Sequence, residues 1–105
     1  MAFNGNEGAP ITPEEAAVLT KRYRDANAPG AITGEFVGKE NLLKLLEQPG
    51  CMGIRFYYGL DAEGNPEMVL VGADANQNDM LSIIMENTYR CPPFCSQSNV
   101  LNSNR

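Results

Sequence analysis

The stretch CMGIRFYYGLD, residues 51–61, changes the period of the chain. Met52, Ile54, Phe56, Tyr58 and Leu60 alternate with Gly53, Arg55, Tyr57 and Gly59, and a period of two marks a strand with one apolar face and one mixed face. Downstream, DAEGNP at residues 61–66 is turn chemistry and EMVLVGA at 67–73 reads as the returning strand, which gives a hairpin with a longer loop. A second turn, DANQND at 74–79, leads into MLSIIMENTY. A strand over 80–85 is favoured there over a short helix, because a meander places it beside its predecessor. The two turns echo each other, and two loops with similar demands account for this without a repeat architecture.

Upstream the period is that of helices. Thr12-Pro13-Glu14-Glu15 combines a capping threonine, a proline suited to the first helical position and the glutamate of a capping box. The helix is expected from about Pro13 to Ala26, with Ala16, Leu19, Tyr23 and Ala26 on one face and Asn27-Ala28-Pro29-Gly30 ending it. A second helix is expected in KENLLKLLEQ, residues 39–48, where Leu42 and Leu46 share a face, Leu43 widens it, and Pro49-Gly50 stops it. The fold class expected is therefore α+β. Two N-terminal helices pack on a small antiparallel three-stranded meander, and the proline-rich C-terminal segment closes an edge or an end. Met52, Ile54, Phe56, Tyr58, Leu60, Leu42, Leu46 and Leu19 are the expected core. The 105 residues read as one small domain, 1–105, with 1–10 and 96–105 as loose tails.

Charge limits the function. Thirteen acidic against eight basic residues give a net charge of −5, which argues against general affinity for nucleic acid or anionic membrane. The one basic cluster, Lys21, Arg22 and Arg24, is interleaved with Glu14, Glu15 and Asp25 and reads as a solvated helix face. MAFNGNEGAP lacks the charged head and apolar run of a secretory signal, and no stretch approaches a membrane span, so a cytoplasmic setting with reduced thiols is the expectation.

The residue inventory limits the chemistry. The chain has no histidine, which excludes Cys–His and Ser–His–Asp machinery. No phosphate-binding glycine loop occurs, and no pair of carboxylates stands out; an enzyme is not expected. Asp74, Asn76 and Asn78 fall at positions 1, 3 and 5 of a calcium loop, but Asp79 replaces the turn glycine and Met85 the bidentate glutamate. Asx-type turns are the better reading. The remaining candidates are Cys51, Cys91 and Cys95, the last two in CPPFC. A zinc site built from these three thiols needs a fourth ligand. If residues 91–95 ran as polyproline at about 3.1 Å per residue the two cysteines would stand roughly 12 Å apart, whereas a disulfide needs Cα atoms within about 7 Å. A metal site or a redox pair thus demands a turn around Pro93-Phe94. An extended strap that lays Phe94 and the cysteines against the sheet needs none, and is favoured.

GIRFYYGLD (53–61), VLVGAD (69–74) and CPPFC (91–95) together resemble a family of small uncharacterised bacterial proteins in which a similar hairpin precedes a C-terminal Cys-Pro-Pro motif. The resemblance spans residues 51–95 and implies a bacterial cytoplasmic origin; it carries no functional residue with it. From the residues themselves, the leading expectation is a non-enzymatic binding or assembly module. A three-stranded sheet has two edges, and a paired edge is a natural route to a homodimer. Arg55 and Tyr57, side by side on the mixed face, suit an interface with a second copy or another protein partner. The rival expectation is a thiol-based metal or redox site at Cys91, Cys95 and Cys51.

Overall fold

The computed structural model describes residues 2–103. Along these residues run α1 (Pro13–Asp25), β1 (Gly34–Phe36), α2 (Lys39–Leu46), β2 (Cys51–Tyr57), β3 (Val69–Asp74), β4 (Asp79–Met85) and β5 (Tyr89–Cys91). The chain is α+β: β2, β3 and β4 form an antiparallel meander with β3 in the middle, and β1 and β5 form a separate antiparallel pair. Two compact units result. The first holds Val37–Thr88 and the N-terminal segment to Gly8; the second holds Ala9–Phe36 and the segment from Tyr89. No helix among the described residues is long and apolar enough to cross a membrane.

In the first unit the core lies on the central strand. Leu70, Val71 and Ala73 of β3 are 1%, 2% and 3% exposed, and Leu45 of α2 is fully buried. A strand covered on both faces reads as a continuous apolar run rather than an alternating one, and Met68-Val69-Leu70-Val71 is such a run. The alternating stretch at 51–61 is instead an edge strand. The expected core is corrected accordingly: Met52, Ile54 and Leu42 are half-buried, whereas Phe56, Tyr58, Leu60, Leu46 and Leu19 are exposed. Helix α2 packs on the meander, and it buries Leu45 rather than the Leu46 of the expected stripe.

Close backbone approach fixes where α2 and the hairpin sit. A Cβ on Gly72 would lie 2.9 Å from Gln48 Nε2, 3.0 Å from Cys51 Sγ and 3.5 Å from the Leu45 carbonyl oxygen, so the glycine lets the end of α2 rest on β3. Pro49-Gly50 then turns the chain within a few residues, with Gly50 at φ 86° and the Cys51 N–H donating to the Gln48 carbonyl at 3.0 Å. At the far end of the β2–β3 hairpin, the Glu67 N–H donates to the Gly59 carbonyl at 2.9 Å.

The two echoing turns have one structure. Asp61 Oδ1 accepts from the N–H groups of Glu63 and Asn65 at 3.0 and 2.9 Å, and Asp74 Oδ1 accepts from those of Asn76 and Asn78, both at 2.9 Å. Three residues after each aspartate the backbone is left-handed, at Gly64 (φ 85°) and Gln77 (φ 71°). The repeat in sequence is a repeat of turn chemistry. The aspartates bond their own backbone, as the Asx reading of the calcium-like spacing expects.

The second unit begins with the capping box as read: Thr12 Oγ1 accepts from the Glu15 N–H at 3.1 Å, and Glu15 Oε1 accepts from the Thr12 N–H at 3.2 Å. Helix α1 buries no residue completely; its small residues Ala16, Ala17 and Thr20 are half-covered. Arg24 Nη1 donates to the Leu101 carbonyl at 2.9 Å, and the C-terminal turn holds itself through Asn99, whose Oδ1 accepts from the Leu101 N–H at 2.8 Å. Strands β1 and β5, three residues each, pair Gly34 with Cys91, Glu35 with Arg90 and Phe36 with Tyr89.

Glycine substitutions separate the two close approaches. A Cβ at Gly59 would stand 2.7 Å from the Glu67 carbonyl oxygen, a backbone atom that cannot step aside, so Gly59→Ala is expected to cost about 1–3 kcal/mol. Gly72→Ala meets side-chain atoms first, the Gln48 amide at 2.9 Å and the Cys51 sulfur at 3.0 Å, which can shift where a backbone atom cannot, and is expected to cost less. Urea unfolding of both variants checks the order.

Candidate interaction surface and thiol pair

In the first unit, Arg55 and Tyr57 stand two residues apart on β2 and so share a face. The register places Arg55 opposite Val71 and Tyr57 opposite Val69, while Asp79 at the start of β4 lies opposite Ala73. Paired residues share a face, so the three side chains gather over β3 on the side of Val71 and Ala73. Arg55 Nη1 is ion-paired with Asp79 Oδ1 and also donates to the Gln77 carbonyl at 3.2 Å. The Tyr57 hydroxyl donates to the other carboxylate oxygen of Asp79. The Arg55 guanidinium carbon lies 5.7 Å from the centre of the Phe3 ring, within cation–π range.

This cluster is electrically closed. The Tyr57 hydroxyl first, and then Arg55, hold the Asp79 carboxyl below its usual range. The hydrogen bond given to Asp79 raises the Tyr57 phenol and is the main cause of the raised Arg55 guanidinium as well. Sequence reasoning brought Arg55 and Tyr57 together but missed Asp79. Asp79 reads as the last residue of a polar turn, and only the β3–β4 register reveals it as their partner.

The outer edge of β2 has no strand partner among the described residues. An open cleft of about 490 Å³ is lined by Phe3 and Glu7 of the N-terminal segment, by Met52, Ile54, Arg55 and Phe56 of β2, by Tyr58 and by Ala73 of β3, among others. Phe56, Tyr57 and Tyr58 are 49%, 47% and 91% exposed. At the cleft, the Glu7 carboxylate accepts from the N–H groups of Asn4 and Gly5 at 2.9 and 3.0 Å. These backbone bonds, led by that of Asn4, lower its pKa and keep it ionised.

The cysteines divide between the units. Cys51, in the first, is a free thiol whose Sγ donates to the Gly53 carbonyl at 3.2 Å. In the second, Cys91 and Cys95 form a disulfide with their Cα atoms 4.8 Å apart. Residues 91–95 are thus a turn, and the extended strap is corrected. The Cys91–Pro92 and Pro92–Pro93 peptides are cis, and the Phe94 N–H donates to the Arg90 carbonyl at 2.9 Å. A polyproline run would have kept the sulfurs apart; thiol chemistry demanded a turn around Pro93-Phe94, and the turn present runs through Pro92-Pro93. Among the described residues no group of three or more His, Cys, Asp or Glu side chains is arranged to hold a metal ion.

Compared with known proteins, the chain matches no family model, no curated protein and no solved structure.

The Arg55–Asp79–Tyr57 cluster makes a prediction in acid. The folded state lowers the Asp79 pKa, so its contribution is fully present above the unfolded carboxylate value of about 3.9 and is lost as the pH falls through the folded value. Asp79→Asn is therefore expected to be less stable than the parent at pH 6, with the gap closing below pH 4. Denaturant midpoints against pH measure this, and a gap that stays constant would contradict it.

Proposed function

We propose that this chain is an assembly module that pairs with a second copy of itself along the outer edge of β2. The observation that carries the reading is an unpaired edge strand that ends in the exposed aromatic residues Phe56 and Tyr57, with the exposed Tyr58 immediately after it. Edge strands are normally blunted by lysine, proline, a bulge or a cover. From Ile54 to Tyr57 β2 carries neither lysine nor proline, nor does Tyr58 after it, and its irregularity lies at the other end, between Cys51 and Gly53. The opposite edge is protected: between Val71 and Gly72 the partner on β4 jumps from Ile84 to Met80, a break in the ladder that discourages pairing.

Self-pairing also suits the electrostatics. The only charged side chain between Ile54 and Tyr58 is Arg55, and it is paired with Asp79 on one face, so the strand itself adds no net charge beside the Glu7 carboxylate of the cleft. In an antiparallel pair about a two-fold axis the aromatic residues of one copy would meet those of the other. An edge this short buries less than the roughly 1,600 Å² of a tight interface, so association should be weak and concentration-dependent. The family resemblance of the hairpin is compatible with this reading and adds no activity to it.

Light scattering after size exclusion should show mass rising towards twice the monomer value as concentration increases. Tyr58→Lys, at a position 91% exposed, should abolish the rise without altering the circular dichroism. Leu81→Lys, on β4 and 70% exposed, should leave it intact. A monomer at all concentrations, or equal sensitivity to both substitutions, contradicts the proposal.

A further inference from the structure

We infer that the Cys91–Cys95 pair is a dithiol–disulfide exchange site for cysteine-bearing protein segments with apolar flanks. The inference rests on the second unit alone and is independent of the β2 edge.

A structural staple joins distant parts of a chain, and its effect grows with the loop it closes. This disulfide closes a loop of sequence separation four. Both cysteines lie in the C-terminal segment of the unit, so the bond does not tie that segment to Ala9–Phe36. Those two segments are held instead by the β1–β5 ladder and by Arg24 on the Leu101 carbonyl. As a staple the bond holds only its own turn and contributes less than one between the two segments would.

As a reagent it is well placed. Cys95 is exposed, whereas Cys91 is half-buried and its backbone is fixed in β5, where its carbonyl accepts from the Thr33 N–H at 2.8 Å. The two residues are therefore unequal: the incoming thiolate is assigned to Cys95 Sγ, on the exposed residue, and Cys91, paired in the ladder, supplies the leaving group. Around them lies an uncovered aromatic platform. Phe36, Tyr89 and Phe94 are 64%, 55% and 60% exposed. Phe36 and Tyr89 are direct cross-strand partners, and the Tyr89 and Phe94 ring centres are 4.9 Å apart. Exposed aromatic residues grouped beside a reactive bond suit an apolar side chain next to the substrate cysteine.

The step balances as follows. A substrate thiolate attacks Cys95 Sγ, the Cys91–Cys95 bond breaks, and Cys91 departs with the electron pair as thiolate, taking a proton from solvent. The mixed disulfide between substrate and Cys95 is then attacked by the substrate's second thiolate, which releases Cys95. The substrate dithiol is oxidised to a disulfide, and the pair is reduced to two thiols by the same two electrons. The thiolate is the attacking species, so the rate should rise with pH through the substrate thiol's own pKa.

The test uses the full chain carrying Cys51→Ser and two reduced synthetic dithiol peptides, one with Leu and Phe beside its cysteines and one with Gly and Ser. The oxidised chain should convert the apolar peptide to its disulfide and gain two hydrogens by mass. Conversion should be roughly ten-fold faster than for the polar peptide, the lower end of what an apolar contact contributes to discrimination, and Phe94→Ser should erase that preference. With each peptide supplied as an activated mixed disulfide, Cys91→Ser should form an adduct at Cys95 faster than Cys95→Ser forms one at Cys91. Exchange no faster than that of glutathione disulfide, or equal rates for both peptides, would overturn the inference and leave the bond a local staple.

Discussion

The meander depends on the burial of β3. Leu70, Val71 and Ala73 are covered from both faces, and with Leu45 they are the fully buried apolar side chains among the described residues. A strand in that position cannot tolerate an unpaired N–H or C=O, so it must have a neighbour on each side, and the chain supplies β2 and β4 through two turns of the same construction. Gly72 lets the end of α2 lie close on the same strand, while Arg55, Tyr57 and Asp79 neutralise one another over its other face. Once the middle strand is satisfied, β2 and β4 are necessarily edges.

That hierarchy explains what was legible in the sequence. Local chemistry was readable: the Thr12–Glu15 capping box, the Pro49-Gly50 stop, the hairpin with its aspartate turns and the third strand after Asp79 all follow from neighbours a few residues apart. Position within the sheet was harder to read. Alternation at 51–61 looks like a buried face, yet it belongs to an edge, because a fully buried strand shows no alternation and Val69–Ala73 was the stronger signal. Leu45 rather than Leu46 is buried because the approach at Gly72 sets the rotation of α2, and no periodicity encodes that contact.

Non-local pairing was not legible. Strands β1 and β5 are three residues each and lie more than fifty positions apart along the chain, too short for a pattern and too distant for a turn signal. The CPPFC turn is a related case. Each proline restrains the chain locally, and the extended form satisfies those restraints, so only the closed ring shows that Cys91 and Cys95 meet. At the candidate surfaces the visible signal was residue type: Arg55 and Tyr57 were found by alternation, Cys91 and Cys95 by rarity. Asp79 and the aromatic platform of Phe36, Tyr89 and Phe94 needed the register.

The claim that joins fold to function is that β3 is closed on both sides while the outer edge of β2 stays open until a second copy covers it. Amide hydrogen exchange resolved by residue, at low and high protein concentration, tests it most directly. The account predicts that Leu70–Ala73 exchange slowest at both concentrations, and that the outward-pointing amides between Ile54 and Tyr58 exchange rapidly when dilute and slow on concentration. Protection of those β2 amides equal to that of β3 at high dilution, or no change with concentration, would contradict it.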